Sequence, residues 1–220
     1  MLLLLLLRLL AGKLLDLLAP PTCSACDARL RRRSVFCAAC ASTIELADLD
    51  PPAGPIPVFA RVLFGGAVAT ALRRLKYGDR PDLARQLGSL ARHAAREARI
   101  HADLVIPVPL HPARLAERGY NQAALIAAYV ARELRLPLEA RGLRRTRHTP
   151  QQARLDRAAR LGNVAGAFQV RSAARVRGRR VVLVDDVATT GATLSACAAA
   201  LREAGAAEVT AVVVALAARE

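Results

Sequence analysis

Val181-Val182-Leu183-Val184-Asp185-Asp186-Val187-Ala188-Thr189-Thr190-Gly191-Ala192-Thr193 is the stretch that decides the fold. Its first four residues are apolar and mostly β-branched, which predicts a buried central strand over 180–184. Two carboxylates stand at the C-terminal end of that strand, the edge at which open α/β sheets bind ligands. Small residues, hydroxyls and one glycine come next, and then an Ala-rich helix over 192–204 that stops at Gly205. A strand, turn and helix of this kind form an anion cradle: backbone N–H groups, Thr hydroxyls and the positive helix end converge on one phosphate. Paired carboxylates repel a bare phosphate. They make sense when the ligand also brings hydroxyls that donate to them, or a Mg²⁺ ion, and a sugar phosphate supplies both. The local chemistry points to a ribose 5-phosphate moiety.

Working outward, short apolar runs alternate with helical stretches. Strands are predicted over 58–64, 104–108, 167–170 and 208–216. Helices are predicted over 67–75, 81–98, 121–134 and 155–161, with a basic loop over 141–152. This alternation argues for an α/β fold with a mostly parallel sheet. Upstream, residues 50–57 carry four prolines in eight positions, a linker composition that sets the boundary between a module at 1–49 and a domain at 58–220.

The first module contains Cys23-Ser24-Ala25-Cys26 and Cys37-Ala38-Ala39-Cys40, two C-x2-C pairs with ten residues between them. Each tight turn can place two thiolates on one ion, and two turns complete a tetrahedron, so Cys23, Cys26, Cys37 and Cys40 predict a structural Zn²⁺ site. An iron–sulfur cluster is the less common alternative. A segment this small has no adequate core of its own, so metal must hold it together. Cys197, in an Ala-rich helix, reads as an inert core thiol.

Of the 220 residues, 33 are Lys or Arg and 18 are Asp or Glu, a formal net charge of +15. Only Lys13 and Lys76 are lysine. With 54% apolar residues the chain can bury a real core, which excludes intrinsic disorder. With 3% aromatics and no Trp, a stacking platform for single-stranded nucleic acid is disfavoured. The charge is local: residues 141–180 hold 12 Arg against a single acid, Asp156. Such a segment is either a solvated basic face or a surface for an anionic partner.

The 181–193 stretch resembles the signature of type I phosphoribosyltransferases. Other segments are similar to one subfamily, the ComF competence-protein family, over nearly the whole chain. They are Pro20-Pro21-Thr22-Cys23, Leu75-Lys76-Tyr77-Gly78, Ile106-Pro107-Val108-Pro109-Leu110-His111-Pro112, Arg118-Gly119-Tyr120-Asn121-Gln122, Arg145-Thr146-Arg147-His148-Thr149-Pro150-Gln151-Gln152 and Asn163-Val164-Ala165-Gly166-Ala167-Phe168. The resemblance implies a type I phosphoribosyltransferase-like fold preceded by a four-cysteine zinc-ribbon module. It implies binding of phosphoribosyl pyrophosphate with Mg²⁺. Asp185 and Asp186 would hold the ribose hydroxyls, and Ala188, Thr189, Thr190, Gly191, Ala192 and Thr193 the 5′-phosphate. Ala188 stands where the family commonly has Leu or Ile.

Leu110, His111, Arg118 and Gly119 are assigned to the pyrophosphate loop. Arg144, Arg145 and Arg147 fall where such enzymes have a mobile basic hood that closes over the leaving group. Lys76 is assigned to the same phosphates, a helix end being its other reading. The implied reaction displaces pyrophosphate from ribose C1 toward an unknown amine or base. Members of the subfamily are associated with natural transformation. The rival expectation is therefore a non-catalytic protein that binds single-stranded DNA or competence and DNA-uptake partners. Homodimer formation is left open.

Residues 1–10 are nearly all Leu, but no basic segment precedes them and no A-x-A site follows. Arg8, Lys13 and Asp16 break the run, so it falls short of a transmembrane helix. A helix over 2–18 is expected, in a cytoplasmic protein, with its Leu face open to a partner helix or to the inner membrane surface.

Overall fold

A computed structural model describes residues 20–32, 34–48, 50–51, 54–147 and 166–218. The expected helices over 2–18 and 155–161 lie outside these residues. In chain order the elements are α1 (Ala38–Ala41), β1 (Val58–Phe59), β2 (Val62–Leu63), α2 (Gly66–Tyr77), α3 (Leu83–Glu97) and β3 (Leu104–Pro107). They continue with α4 (Pro112–Arg118), α5 (Gln122–Leu134), β4 (Leu143–Arg145), β5 (Phe168–Val170), β6 (Arg180–Ala188), α6 (Ala192–Glu203) and β7 (Glu208–Leu216).

β6 is central. It pairs in parallel with β3 on one side and β7 on the other, and β1 and β2 both pair in parallel with the far side of β7. Side chains alternate along a strand. Val182 and Val184 therefore face one layer, with Leu72 and Leu75 of α2, Leu87 of α3 and Ile126 and Val130 of α5. Val181 and Leu183 face the other, with Leu194, Cys197 and Leu201 of α6 and Phe168 of β5. Both faces are covered, which explains why this strand reads as an unbroken apolar run. The α5 that follows β3 lies on one face and the α6 that follows β6 lies on the other. The crevice between the C-terminal ends of β3 and β6 is thus a topological switch point, where such sheets bind ligands. No described helix is long and apolar enough to cross a membrane.

The structure departs from the predicted elements in four places. β6 runs on to Ala188, so both carboxylates lie within a strand. The predicted strand over 58–64 is split, because Ala47 N donates to Arg61 O (3.0 Å) and Leu63 N to Glu45 O (2.9 Å), pulling β2 toward the Cys-rich segment. Leu143–Arg145, expected in a basic loop, is a strand antiparallel to β5. Between the loop residues His111 and Gly119, Pro112–Arg118 forms a helix with Pro112 in its first turn.

The Cys-rich segment shares its core with the sheet domain. Cys23 and Phe36 belong to the same buried cluster as Val62, Ala67 and Leu72. Ala67 N, in the first turn of α2, donates to Thr43 Oγ1 (3.0 Å), and Arg74 Nη1 to Ser24 O (3.0 Å). Gly66 (φ 46°) permits this approach, since a Cβ there would lie 2.4 Å from Thr43 O.

Candidate functional site

The alternation that buries Val182 and Val184 also aims Asp186 at the α2 layer. Asp186 is 3% exposed. Lys76, at the end of α2, places Nζ 2.9 Å from Asp186 Oδ1. The other oxygen, Oδ2, is buried without a hydrogen-bond partner. Asp185 faces the opposite layer, and its Oδ1 accepts from Asp186 N (2.8 Å). Burial and then the Asp186 charge raise Asp185 from the usual carboxylate range to about 7, against the pull of Lys76. Burial pulls the Lys76 ammonium down, but Asp186 and Asp185 outweigh it and hold Lys76 above its ordinary value. The pair thus offers a buried, unpartnered acceptor beside a carboxyl held well above the usual carboxylate range. Such a pair can receive hydroxyl donors or a cation.

β3 ends at Pro107, in register with Val184, so the Asp185–Ala188 edge of β6 continues past it. The chain then turns at Thr189 and Thr190 into α6. Gly191 caps that helix at φ 74°, a left-handed conformation that favours glycine. Ala192 N donates to Thr190 Oγ1 (3.4 Å), Ala188 and Ala192 are buried, and Thr189 is exposed. Thr193 is half-buried in the first turn of α6. Backbone N–H groups at a helix start, beside two Thr hydroxyls, constitute a phosphate-sized donor set.

Leu110 and His111 follow the end of β3, and His111 caps α4 by accepting from Ala113 N at Nδ1 (3.3 Å). Gly119 closes α4 at φ 78°. Arg118 donates to Gln122 Oε1 and lies over the Tyr77 ring, 5.3 Å from its centroid. Tyr120 donates its hydroxyl to Leu75 O. The 118–122 turn therefore packs on the end of α2 that carries Lys76, and Lys76 in turn reaches Asp186.

The three hood arginines separate. Arg145 is half-buried over Phe168 (5.4 Å to the ring centroid). Burial lowers its pKa, and the charges of Arg114 and Asp185 both reach it. Arg144, one residue earlier on β4, points the other way and donates to Gln169 Oε1 from Nε (3.1 Å) and Nη2 (2.7 Å). Arg147 is exposed beyond the strand. Arg114 was not among the sequence candidates. The 111–114–118 spacing, one face of a helix, was the available signal.

The four sulfurs of Cys23, Cys26, Cys37 and Cys40 lie within 4.8 Å of one another. A tetrahedral site with Zn–S bonds of about 2.3 Å requires S···S edges of about 3.8 Å. Cys26 and Cys37 are 3.8 Å apart. Burial would raise Cys23, but N–H groups around it, from Cys37, Cys26 and Ala25, hold it down at about 6. Its neighbours drive Cys40 up to about 12. Four thiolates coexist here only with a cation among them, so the donor set fits a metal ion such as zinc.

Residues 76–220 match the family model for the phosphoribosyl transferase domain. The chain is 37% identical over 144 residues to competence protein F of Haemophilus influenzae, covering 63% of this chain and 63% of that protein. It is 30% identical over 200 residues to DNA utilization protein YhgH of Escherichia coli O157:H7, covering 85% and 86%. Among solved structures, glutamine phosphoribosylpyrophosphate amidotransferase from B. subtilis, complexed with ADP and GMP, aligns with a TM-score of 0.45 and 26% identity. That alignment covers 64% of this chain and 30% of the amidotransferase.

Proposed function

Because this chain belongs to the ComF family of phosphoribosyltransferase-domain proteins, we propose that it binds phosphoribosyl pyrophosphate at the C-terminal end of β6. One observation carries the reading: a half-buried Asp185 beside a buried Asp186 with an unpartnered oxygen, followed directly by a left-handed glycine turn into a helix start. Asp185 and Asp186 accept the ribose hydroxyls, and the Ala188–Thr193 turn donates to the 5′-phosphate. Lys76, Arg118 and Arg145 supply positive charge on the diphosphate side. Mg²⁺ bound with the diphosphate supplies further charge against the leaving group. The residues of the chain position the sugar and screen its phosphates, so that C1 is open to an amine or base. Zinc in the four-cysteine cluster has no open coordination position and is structural.

Calorimetry with phosphoribosyl pyrophosphate and Mg²⁺ tests the reading. Wild type should bind, and Asp185→Asn/Asp186→Asn should not. Silence with wild type would sink it. Transfer is then read as pyrophosphate release over a panel of amines and bases.

A second reading rests on the relatives named for competence and DNA utilization, together with the arginines outside the hood. Arg175 and Arg180 are tied in ion pairs to Glu139 (2.6 Å) and Asp103 (2.9 Å). Arg171, Arg177 and Arg179 are exposed, with Arg179 beside the start of β6, the end remote from Asp185. In this reading the chain is a cytoplasmic, non-catalytic protein binding single-stranded DNA or uptake partners. Affinity for an oligonucleotide that does not fall with added salt would count against it.

A further inference from the structure

A groove of about 490 Å³ lies between α3 and α5, lined by Arg85, Ser89 and Arg92 on one side and Tyr129, Arg132 and Arg135 on the other. Its volume falls within the range of small-molecule sites, about 300–1,000 Å³. Positions 85, 89 and 92 form one stripe of α3, distinct from the Leu87, Ala91 and Ala94 stripe that is buried against the sheet layer.

The groove is strongly positive. Its one acid among the described residues, Glu133, is engaged 3.5 Å from Arg92 Nε. Arg85, Arg132 and Arg135 make no ion pair among the described residues. Arg135 ends α5 in the left-handed region (φ 55°), where glycine is the favoured residue and any side chain is strained.

Gly88 shapes the opposite wall. A Cβ there would lie 2.6 Å from Tyr129 Cδ2, so only glycine lets the ring sit against the α3 backbone. Tyr129 is half-buried and keeps part of its ring on the groove. The far end of α5, where Arg132 and Arg135 stand, is about 20 Å along the helix from the Gln122 end beside Arg118. This is a place apart from the Asp185–Asp186 site.

We propose that this groove binds a nucleoside polyphosphate. Guanidinium groups take phosphate oxygens in pairs, and three that make no ion pair among the described residues, around a compact volume, suit more than one linked phosphate. An aromatic wall suits a flat base. The proposal stands independently of phosphoribosyl pyrophosphate binding.

Calorimetry on the full chain at fixed ionic strength in Mg²⁺-free buffer tests it, with adenosine triphosphate, inorganic tripolyphosphate and a short oligodeoxythymidylate as probes. Both phosphate compounds should bind wild type and Asp185→Asn/Asp186→Asn equally. Arg85→Gln/Arg132→Gln should weaken both at least tenfold without moving the melting temperature, since both side chains are exposed. Arg135→Gln provides an independent second variant. Tyr129→Leu should weaken the nucleotide severalfold and spare tripolyphosphate. Equal affinity in wild type and the arginine variants overturns the proposal, as does loss confined to the acidic-pair variant. Binding of the oligonucleotide alone also overturns it, in favour of a nucleic-acid strand.

Discussion

Lys76 is paired with a carboxylate that is almost wholly buried, and that burial makes the contact costly to break. An isolated buried charge loses its hydration with nothing to replace it. Lys76→Ala should destabilise the chain by about 3 kcal/mol near neutral pH. Lys76→Met/Asp186→Asn should recover most of that loss, because it removes the orphaned charge rather than its partner. Urea unfolding of the single and double variants measures both. A Lys76→Ala chain as stable as wild type would show that the pair is solvated. Asp185 poses a different problem. Burial and its neighbour hold it near 7, above the ordinary carboxylate value near 3.8. The folded state therefore binds more protons than the unfolded chain between those values. Stability should fall as pH rises through that window, with the full penalty present above about 7 and none below about 4. Lys76, shifted upward from 10.5, does not titrate in this range. Asp185→Asn should flatten the fall. Parallel stability–pH curves for wild type and variant would exclude Asp185 as its source.

At the scale of elements, the two-residue period of a strand sorts the arginines of β4. Arg145 turns inward toward Phe168 and the Asp185 charge, while Arg144 turns outward to Gln169. Arg145→Gln should weaken phosphoribosyl pyrophosphate binding about tenfold, and Arg144→Gln should leave it near wild type. Calorimetry with Mg²⁺ separates them, and equal losses would mean that both act through general charge. The sequence did not distinguish these two residues, because β4 is three residues long and its partner β5 arrives more than twenty residues later. Only one side chain of β4, Leu143, is buried, so no apolar alternation announces the strand. α4 was equally hidden, since it buries no residue and opens with His111-Pro112, which reads as a turn. The longer elements were legible for the opposite reason. α3 and α5 bury Leu, Ile, Val and Ala at helical spacing, and β6 is apolar on both faces. The acidic pair and the glycine turn were visible because their chemistry is written in consecutive residues. The Lys76–Asp186 contact joins residues more than a hundred positions apart and needed the fold to bring them together.

At the scale of the whole molecule, the spacing of the four cysteines was plain in the sequence, but the shared core was not, because apolar composition does not say which surface a small module covers. Cys23 is fully buried in the cluster that contains Val62 and Leu72. Arg74 on α2 bonds to Ser24 O and Asp27 of the module, and Arg80 Nη1 reaches Asp27 Oδ1 at 3.1 Å. The exposed ion pairs contribute little, so the buried contacts carry the coupling. Lys76 lies one residue beyond Leu75, itself fully buried in the same cluster. Disturbing the Cys turns should therefore reach the candidate site through α2. The purified chain should carry about one zinc ion, read by plasma emission spectrometry. Cys23→Ser, or exhaustive chelation, should release the metal, lower the thermal midpoint of the whole chain by several degrees and weaken phosphoribosyl pyrophosphate binding severalfold. The conservative Cys197→Ser change, at a buried thiol on the opposite face of the sheet, should leave metal content intact. A metal-free chain that melts and binds like the zinc-loaded one would show that the module is held by its apolar contacts alone.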